Sequence, residues 1–403
     1  MPDIDDLARR LAALDPEARR LVQARLAARA GTASEAATPS SPMDFSVFFF
    51  SAAQSAVGTR PYGLVLEASR IADQRGFEAV WTPERHFHEF GGPYPAPAVL
   101  AAALAPRTER IQLRAGSMVA PLHDPIRVCE DWAVVDNLSK GRVGLAFASG
   151  FHPLDFTFAP EAFASRRDIT PRTVEQVRAL WRGEKIRRRD GVGETEVGTY
   201  PRPVQPELPV WLTGESESTF RQAGRIGANV LTALLSQNIE QLRQRITAYR
   251  TTLRENGHDP DAHRVTLMLH SYVGVDRDEV RETVRAPFST YLRTHLDLAR
   301  SLAAAHANQA ELEQYAQQEE ELLEFGLERY MGHASLMGTP EDCRRTVLNL
   351  RSLGVDEIGC LVDFGVADDL VLAGIERIAD LREHLVRSPA APVPEPMLTR
   401  SQA

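Results

Sequence analysis

The chain has 403 residues and a formal net charge of -9 at pH 7, and 43% of its residues are hydrophobic. A chain of this length and composition can bury a large core, so disorder of the whole chain is excluded. The acidic balance argues against a protein that coats nucleic-acid phosphates, because such proteins need a mainly basic surface.

The first 30 residues are predicted to form a separate helical segment. Leucines recur there at helical spacing, and Asp15-Pro16 divides the pattern into a pair of helices. Residues 31–42 are small, polar and proline-containing, which is typical of a flexible linker. We expect residues 1–30 to be a possible docking element for another protein.

From residue 43 to about residue 388, short apolar runs alternate with longer amphipathic stretches. This pattern predicts a parallel sheet wrapped by helices, followed by a flexible tail over 389–403. Eight strands are predicted, at 45–50, 79–81, 111–117, 143–148, 210–212, 229–232, 265–273 and 357–362. Helices are predicted between them, for example over 62–75, 125–138, 239–255 and 340–353. Eight such units favour an α/β fold of the closed (β/α)8 TIM barrel type over an open doubly wound sheet.

Two gaps between the strands are too long for a simple crossover. Residues 183–209 are rich in glycine and proline and predict a hairpin or loop excursion. Residues 278–338 predict a helical insertion before the last strand. This insertion could act as a lid over the active-site face of a barrel, or it could be a plain surface helix pair.

The segment WTPERHFHEFGGPY, residues 81–94, follows a predicted strand and therefore lies at the predicted mouth of the barrel. It contains Glu84, Arg85, His86 and His88. The two histidines could ligate a metal together with His123 or His152, or they could simply form hydrogen bonds within the loop.

Three further segments carry small or polar residues at the ends of strands. RAGSMVAPLHD (114–124) and GRVGLAFASGFHP (141–153) allow a flat ligand to approach the backbone. LTGESESTFR (212–221) begins a helix with Ser216, Ser218 and Thr219, whose hydroxyls and the free helix N–H groups could bind a phosphate. An ordinary helix cap explains the same residues.

The cysteines and the hydropathy pattern exclude other classes. Cys129, Cys343 and Cys360 are widely spaced, which is the pattern neither of a disulfide framework nor of a zinc site. The sequence has no apolar run of about eighteen residues and no secretory leader pattern. We therefore expect a cytoplasmic protein without a resident metal.

Taken in order, ERHFHEFGG, APLHDPIRVCED, DNLSKGRVGLAFASGF, VWLTGESEST and MGTPEDC…LGVDEIGCLVDFG resemble the luciferase-like monooxygenase family over roughly residues 45–385. WTPERHFHEFGG, FASGFHPLDF and RPVQPELPVWLTG resemble its branch in natural-product biosynthesis, which works beside polyketide and nonribosomal peptide assembly lines. The resemblance implies a bacterial luciferase-like barrel and an FMN-dependent monooxygenase.

The resemblance also implies which residues would hold FMN. The phosphate would lie on Glu215, Ser216 and Thr219, and the flavin ring would lie near a non-proline cis peptide at Gly116-Ser117. Ser149 and Gly150 would border the ring from the fourth strand.

The implied reaction uses FMN as FMNH2, supplied by a separate flavin reductase, together with O2. His86 is expected to manage protons near the reacting oxygen, and Arg85 to stabilise negative charge or to hold an acidic substrate. Arg85 and Ser149 replace residues of luciferase itself, so light emission from an aldehyde is not expected. The family further implies a homodimer, and the natural-product branch implies a small-molecule or carrier-protein-bound substrate.

Three other functions remain open at this point. The same barrel could transfer hydride with a deazaflavin, or the chain could be a non-catalytic flavin-binding subunit. A metal-dependent hydrolase that uses His86 and His88 is the third alternative.

Overall fold

Eleven strands occur in the computed structural model, which describes residues 43–50, 62–88, 91–235, 237–303 and 334–387. The strands are β1 (Asp44–Phe48), β2 (Ala79–Thr82), β3 (Gln112–Val119), β4 (Val143–Ala148), β5 (Ile186–Arg189), β6 (Glu194–Val197), β7 (Val210–Thr213), β8 (Asn229–Ala233), β9 (Val265–Val273), β10 (Leu336–Gly338) and β11 (Glu357–Leu361). The predicted segments 1–30, 31–42 and 389–403 lie outside the described residues.

Eight of these strands form a closed parallel barrel in the order β1, β2, β3, β4, β7, β8, β9, β11. The barrel closes because β11 pairs with both β9 and β1. All eight are the strands predicted from the apolar runs, so the (β/α)8 TIM barrel is confirmed. Each run is buried on both faces, which explains why the runs are continuous rather than alternating.

Nine helices lie in the described residues: α1 (Gly63–Gln74), α2 (Pro97–Leu104), α3 (Pro125–Ser139), α4 (Arg166–Arg182), α5 (Glu217–Arg225), α6 (Ile239–Glu255), α7 (Arg277–Ala303), α8 (Pro340–Ser352) and α9 (Asp368–Arg387). Short 3-10 helices cover 105–107, 120–122, 153–158, 160–162 and 260–262. Local sequence fixes several helix starts. Asp124 caps α3 by accepting a hydrogen bond from the N–H of Ile126, and Pro125 occupies the first helical turn.

The two long gaps have distinct structures. β5 and β6 form the antiparallel hairpin that the glycine-rich stretch predicts within residues 183–209. The predicted insertion begins with α7, and residues 304–333 lie outside the described part of the chain. The sequence did not predict β10, because three residues are too few for a periodic signal; β10 pairs with the last residues of β9.

The interior near the start of the strands holds a buried ion pair. Arg114 donates to Glu357 at 2.8 Å, and its guanidinium carbon lies 4.5 Å from the ring centroid of Trp211. Ser46 and Trp81 also donate to Glu357, at 2.6 and 3.1 Å. This end of the barrel is therefore filled, which leaves the opposite end for a ligand. Within the described residues, no helix is long and apolar enough to cross a membrane.

Candidate active site at the mouth of the barrel

A cavity of about 320 Å³ lies at the carboxyl ends of the strands. Its walls are mostly apolar and include Phe48, Phe50, Val119, Phe151, Leu231 and Met268. The polar and small residues on the wall are Glu84, Arg85, Gly116, Ser117, Ser149, Gly150, Asp155, Thr213, Gly214, Glu215 and Thr232. An apolar cavity with a few placed polar groups is the usual form of a small-molecule site.

The end of β3 forms one wall of this cavity. The Gly116-Ser117 peptide bond is cis, at the position that the family resemblance implies. A side chain at Gly116 is excluded, since a Cβ there would lie 2.8 Å from Trp81 and 2.9 Å from Phe48. The hydroxyl of Ser117 lies 2.6 Å from the hydroxyl of Thr213 on β7.

The end of β4 forms the adjacent wall with Ser149 and Gly150. Gly150 has φ +74, and a Cβ at this position would lie 2.8 Å from Val119 and 2.9 Å from Phe156. Positive φ and close packing together require glycine here. The backbone of this segment therefore approaches the cavity without a side chain in the way.

The predicted phosphate site lies at the start of α5, beside the cavity. Gly214 and Glu215 line the cavity, and Ser216 is the N-cap, accepting a hydrogen bond from the N–H of Thr219. The Ser216 hydroxyl lies 2.8 Å from that of Ser218 and 2.9 Å from that of Thr219. Hydroxyls and helix N–H groups are suitable phosphate ligands.

The carboxylate of Glu215 is negatively charged, like a phosphate, but one of its oxygens already accepts a hydrogen bond from the protein backbone. Its Oε1 accepts a hydrogen bond of 2.9 Å from the N–H of Leu235, which follows β8. The hydroxyls and helix N–H groups beside the largely apolar cavity fit a flavin mononucleotide. Ser216 and Thr219 do not themselves line the cavity; they adjoin it through Gly214 and Glu215.

Glu84 is a buried carboxylate held by three donors. Its Oε1 lies 2.8 Å from Nε2 of His86 and 2.7 Å from Nε2 of His123, and its Oε2 accepts from the N–H of Val119 at 2.7 Å. Burial raises the pKa of Glu84, but the hydrogen bonds from His123 and His86 outweigh this effect and hold the pKa below its usual value. Burial lowers the pKa of His123, while the bond to Glu84 raises it more, so the net shift is upward.

Arg85 and Asp155 lie on the cavity wall, close enough to influence each other's charge. Burial raises the pKa of Asp155, and Arg85 acts in the opposite direction. Burial lowers the pKa of Arg85, and Asp155 opposes that shift. The guanidinium carbon of Arg85 lies 5.4 Å from the ring centroid of Phe151. The mouth thus combines a cation, a carboxyl group and aromatic rings.

The structure brings six of the nine predicted site residues onto the cavity wall: Arg85, Gly116, Ser117, Ser149, Gly150 and Glu215. His86 instead lines a neighbouring cleft with Arg85 and His88. Sequence reasoning did not assign a role to Glu84, Asp155 or Thr213. Glu84 lies between the strand and His86, so a carboxylate two residues before a histidine was the available signal.

The metal-site alternative has no suitable cluster in the described residues. No group of three His, Cys, Asp or Glu side chains there could hold a metal ion. Nε2 of His86 and Nε2 of His123 are both directed at the same oxygen of Glu84. In this arrangement the two histidines are hydrogen-bond donors rather than ligands.

Comparison with known proteins identifies a sequence family that matches this chain and solved structures that share its fold. A sequence model of the family described as luciferase-like monooxygenase matches residues 43–357. The chain is 23% identical over 323 residues to the oxygenase component of a flavin-dependent trigonelline monooxygenase from Acinetobacter baylyi, covering 79% of this chain and 88% of that protein.

Three solved structures share the fold. Monooxygenase RslO1 from Streptomyces bottropensis has a TM-score of 0.69 at 24% identity, covering 86% of this chain and 100% of that one. The oxygenating constituent of 3,6-diketocamphane monooxygenase from Pseudomonas putida, solved with FMN, has a TM-score of 0.66 at 15% identity, covering 84% and 97%. The coenzyme F420-dependent tetrahydromethanopterin reductase from Methanopyrus kandleri has a TM-score of 0.64 at 16% identity, covering 84% and 98%.

Proposed function

Because the chain belongs to the luciferase-like monooxygenase family and is a flavin-dependent monooxygenase, we propose that it binds reduced FMN in the cavity at the mouth of the barrel and uses O2 to oxygenate a small organic substrate. The observation that carries this proposal is the combination of a largely apolar cavity with a hydroxyl-rich helix start beside it. When bound, reduced FMN would supply the two electrons that activate O2. The protein supplies binding, orientation and proton transfer.

Residues at different positions would bind the phosphate, border the ring and stabilise charge. Ser216, Thr219 and the N–H groups of α5 would hold the phosphate, while Gly116, Ser117, Ser149 and Gly150 would border the ring. Phe50 and Phe151 line the same cavity and would reduce the access of water to a bound ring. Arg85 would stabilise negative charge or hold an acidic group of the substrate.

His86 would manage protons from the neighbouring cleft. Two facts support this role: Arg85 lines both the cleft and the cavity, and Glu84 holds the ring of His86 in place. If His86→Ala retained full turnover and full coupling of oxygen to product, this role would be wrong.

The proposal is tested by anaerobic titration of the protein with FMNH2, followed by addition of oxygen. We expect saturable binding of one FMNH2 per chain and oxygen consumption that depends on it. Absence of both would refute the proposed function.

A separate reductase is proposed as the source of FMNH2. The similar trigonelline enzyme is named as the oxygenase component of its system, which supports a two-component arrangement. The sequence also lacks a dinucleotide-binding fingerprint. Oxygen consumption that requires both this chain and an added flavin reductase with NAD(P)H is the expected result.

Hydride transfer with a deazaflavin is the second candidate. It is favoured by the shared fold with a coenzyme F420-dependent reductase. Turnover with reduced deazaflavin in the absence of oxygen consumption with FMNH2 would select it over the first proposal.

A natural-product intermediate, free or bound to a carrier protein, is proposed as the substrate. Support comes from the sequence resemblance of residues 81–92, 147–156 and 202–214 to the natural-product branch. Residues 1–30 are proposed as a docking element for an assembly-line protein. Deleting residues 1–42 and measuring carrier-protein binding tests docking, and unchanged affinity would refute it.

A homodimer and a cytoplasmic location complete the proposal. A groove of about 410 Å³ on the outside of the barrel lies between α2 and α3 and is lined largely by apolar residues. Val99 is 71% exposed and Val134 is 45% exposed beside it, which supports burial of this face against a second copy. The proposed cytoplasmic location rests on the wide spacing of the three cysteines.

A further inference from the structure

His86 has a single hydrogen-bond partner among the described residues. Its Nε2 lies 2.8 Å from Oε1 of Glu84, while its Nδ1 has no partner in the described part of the chain. The ring packs edge-on against Phe158 at a centroid distance of 4.9 Å. One ring nitrogen is therefore fixed on a carboxylate, and the other has no hydrogen-bond partner among the described residues in the cleft beside the cavity.

The position of Glu84 is itself fixed by β3. The N–H of Glu84 donates to the carbonyl of Ser117 at 3.1 Å, and the N–H of Val119 donates to its carboxylate. The Glu84 side chain is 0% exposed. A carboxylate buried this deeply is costly unless donors surround it, and three donors do so here.

The protonation of the pair follows from its donors. An ionised carboxylate only accepts hydrogen bonds, so Nε2 of His86 must carry the proton in the contact with Glu84. In the neutral ring this leaves Nδ1 unprotonated and able to accept a proton.

We propose that Glu84 is a positioning residue, which holds His86 as the Nε2–H tautomer so that Nδ1 can take up a proton and deliver it to the oxygen being reduced. This inference rests on the proposed function. In turnover without an organic substrate, one FMNH⁻, one O2 and one proton yield FMN and H2O2. Nδ1 of His86 takes this proton from solvent, an N–H bond forms, and the bond breaks again when the proton passes to oxygen.

Glu84 also stabilises the charged ring that exists between these two transfers. In the Ser-His-Asp triad, a carboxylate likewise orients a histidine and stabilises its imidazolium form. His123 shares the same oxygen of Glu84 and is flanked by Asp131 and Arg127 on α3. Among the described residues, the further charged or titratable groups beside the pair or its neighbours are Arg85, His88, His152 and Asp155.

A purely structural role for Glu84 predicts a different result. A residue that only ties the loop after β2 to β3 would affect stability when replaced. In a folded variant, it would leave kcat for H2O2 formation unchanged.

The first test needs neither flavin nor activity. In 15N-histidine-labelled, flavin-free protein, we expect the neutral ring of His86 to show the Nε2–H tautomer by long-range 1H–15N NMR. In Glu84→Gln, whose amide can donate to Nε2, we expect a mixed or reversed tautomer. A wild-type ring in the Nδ1–H form overturns the proposal, even if the variant does not fold.

The second test measures H2O2 formation with FMNH2 and O2 alone. We expect Glu84→Gln to lower kcat by about 100-fold, with KM for FMNH2 within about threefold of the wild-type value. Glu78→Gln, the same substitution at the opposite end of the barrel, should leave kcat and the His86 tautomer unchanged. A folded Glu84→Gln protein with wild-type kcat overturns the inference. Lack of FMNH2-dependent oxygen consumption in the wild type refutes the proposed function instead, and the tautomer then decides whether Glu84 positions His86.

Discussion

The hydroxyl oxygens of Ser117 and Thr213 lie 2.6 Å apart, although β4 separates their two strands in the barrel. Ser117 follows the cis peptide at the end of β3, and Thr213 is the last residue of β7. Both residues line the cavity at the mouth of the barrel. Their contact therefore fixes two walls of the proposed flavin site relative to each other.

Thr213→Val should weaken FMN binding. The substitution keeps the shape of the side chain but removes the partner of the Ser117 hydroxyl, a loss of about 1 kcal/mol. We expect the FMN dissociation constant, measured by fluorescence titration, to rise about fivefold. Thr247→Val, on the exposed face of α6, is the matched control, and an equal effect in both variants would contradict the prediction.

Ser216→Ala should weaken the binding of the FMN phosphate and leave the binding of the flavin ring nearly unchanged. The variant loses a hydroxyl and a helix cap at the start of α5. We expect the dissociation constant for FMN to rise about tenfold, while that for riboflavin, which has no phosphate, changes less than about twofold.

Thr339→Ala is the control for the cap alone. Thr339 caps α8 in the same way, so its replacement should cost about 1 kcal/mol of stability without changing the FMN to riboflavin ratio. If Ser216→Ala weakened both ligands equally, the phosphate site would be misplaced.

His123 should make the stability of the protein depend on pH. The pKa of His123 is raised above its ordinary value of 6.5 in the folded state. Its charged form therefore stabilises the fold fully below about pH 6.5, and this contribution disappears as the pH rises through the folded-state pKa.

His123→Gln tests this dependence, because glutamine can donate a hydrogen bond but carries no charge. We expect the variant to lose free energy of unfolding at pH 6, by about 1 kcal/mol or less because the side chain is partly exposed, and to approach the wild type at pH 9. Urea unfolding at both pH values measures the difference. If the loss of unfolding free energy in the variant instead grew as the pH rose, the predicted direction would be wrong.

Glu357→Gln should strongly destabilise the fold. Burial raises the pKa of Glu357, but Arg114, Ser46 and Trp81 outweigh it and keep the pKa low, so the residue is ionised against Arg114. The variant removes the fully buried counterion of Arg114 and leaves only the partly exposed Glu78, 3.1 Å from Nη2 of Arg114, at a cost of about 3 kcal/mol. Replacing both residues, as Arg114→Met with Glu357→Gln, should recover part of the loss. Thermal and urea unfolding test both variants, and additive losses in the double variant would contradict the coupling.

Val99→Asp should dissociate the proposed dimer. Val99 lies on α2 beside the apolar groove, so an aspartate there would place a charge in the buried interface. We expect sedimentation velocity to show a dimer for the wild type and mainly monomer for the variant. Val192→Asp is the control, since Val192 is 98% exposed in the β5–β6 turn and does not line the groove. A monomeric wild-type protein would refute the dimer.

Much of the fold could be predicted because its signals are local. The eight apolar runs became the eight barrel strands, and the bounds of β4, β9 and α6 agree with those read from the sequence. The small residues at the ends of β3 and β4 identified two walls of the cavity. The three-residue β10 has no local signal, because its only support is pairing with β9.

The sequence by itself therefore determined the barrel, the family and the segments that form the mouth, since hydrophobic periodicity and ordered motifs act over short stretches of chain. Only the tertiary structure decided which polar groups meet there. Glu84 and His123 are 39 residues apart and Ser117 and Thr213 are 96 residues apart, yet each pair is in hydrogen-bonding contact. Barrel closure brings the ends of the strands together, and no local pattern encodes which side chains then become neighbours.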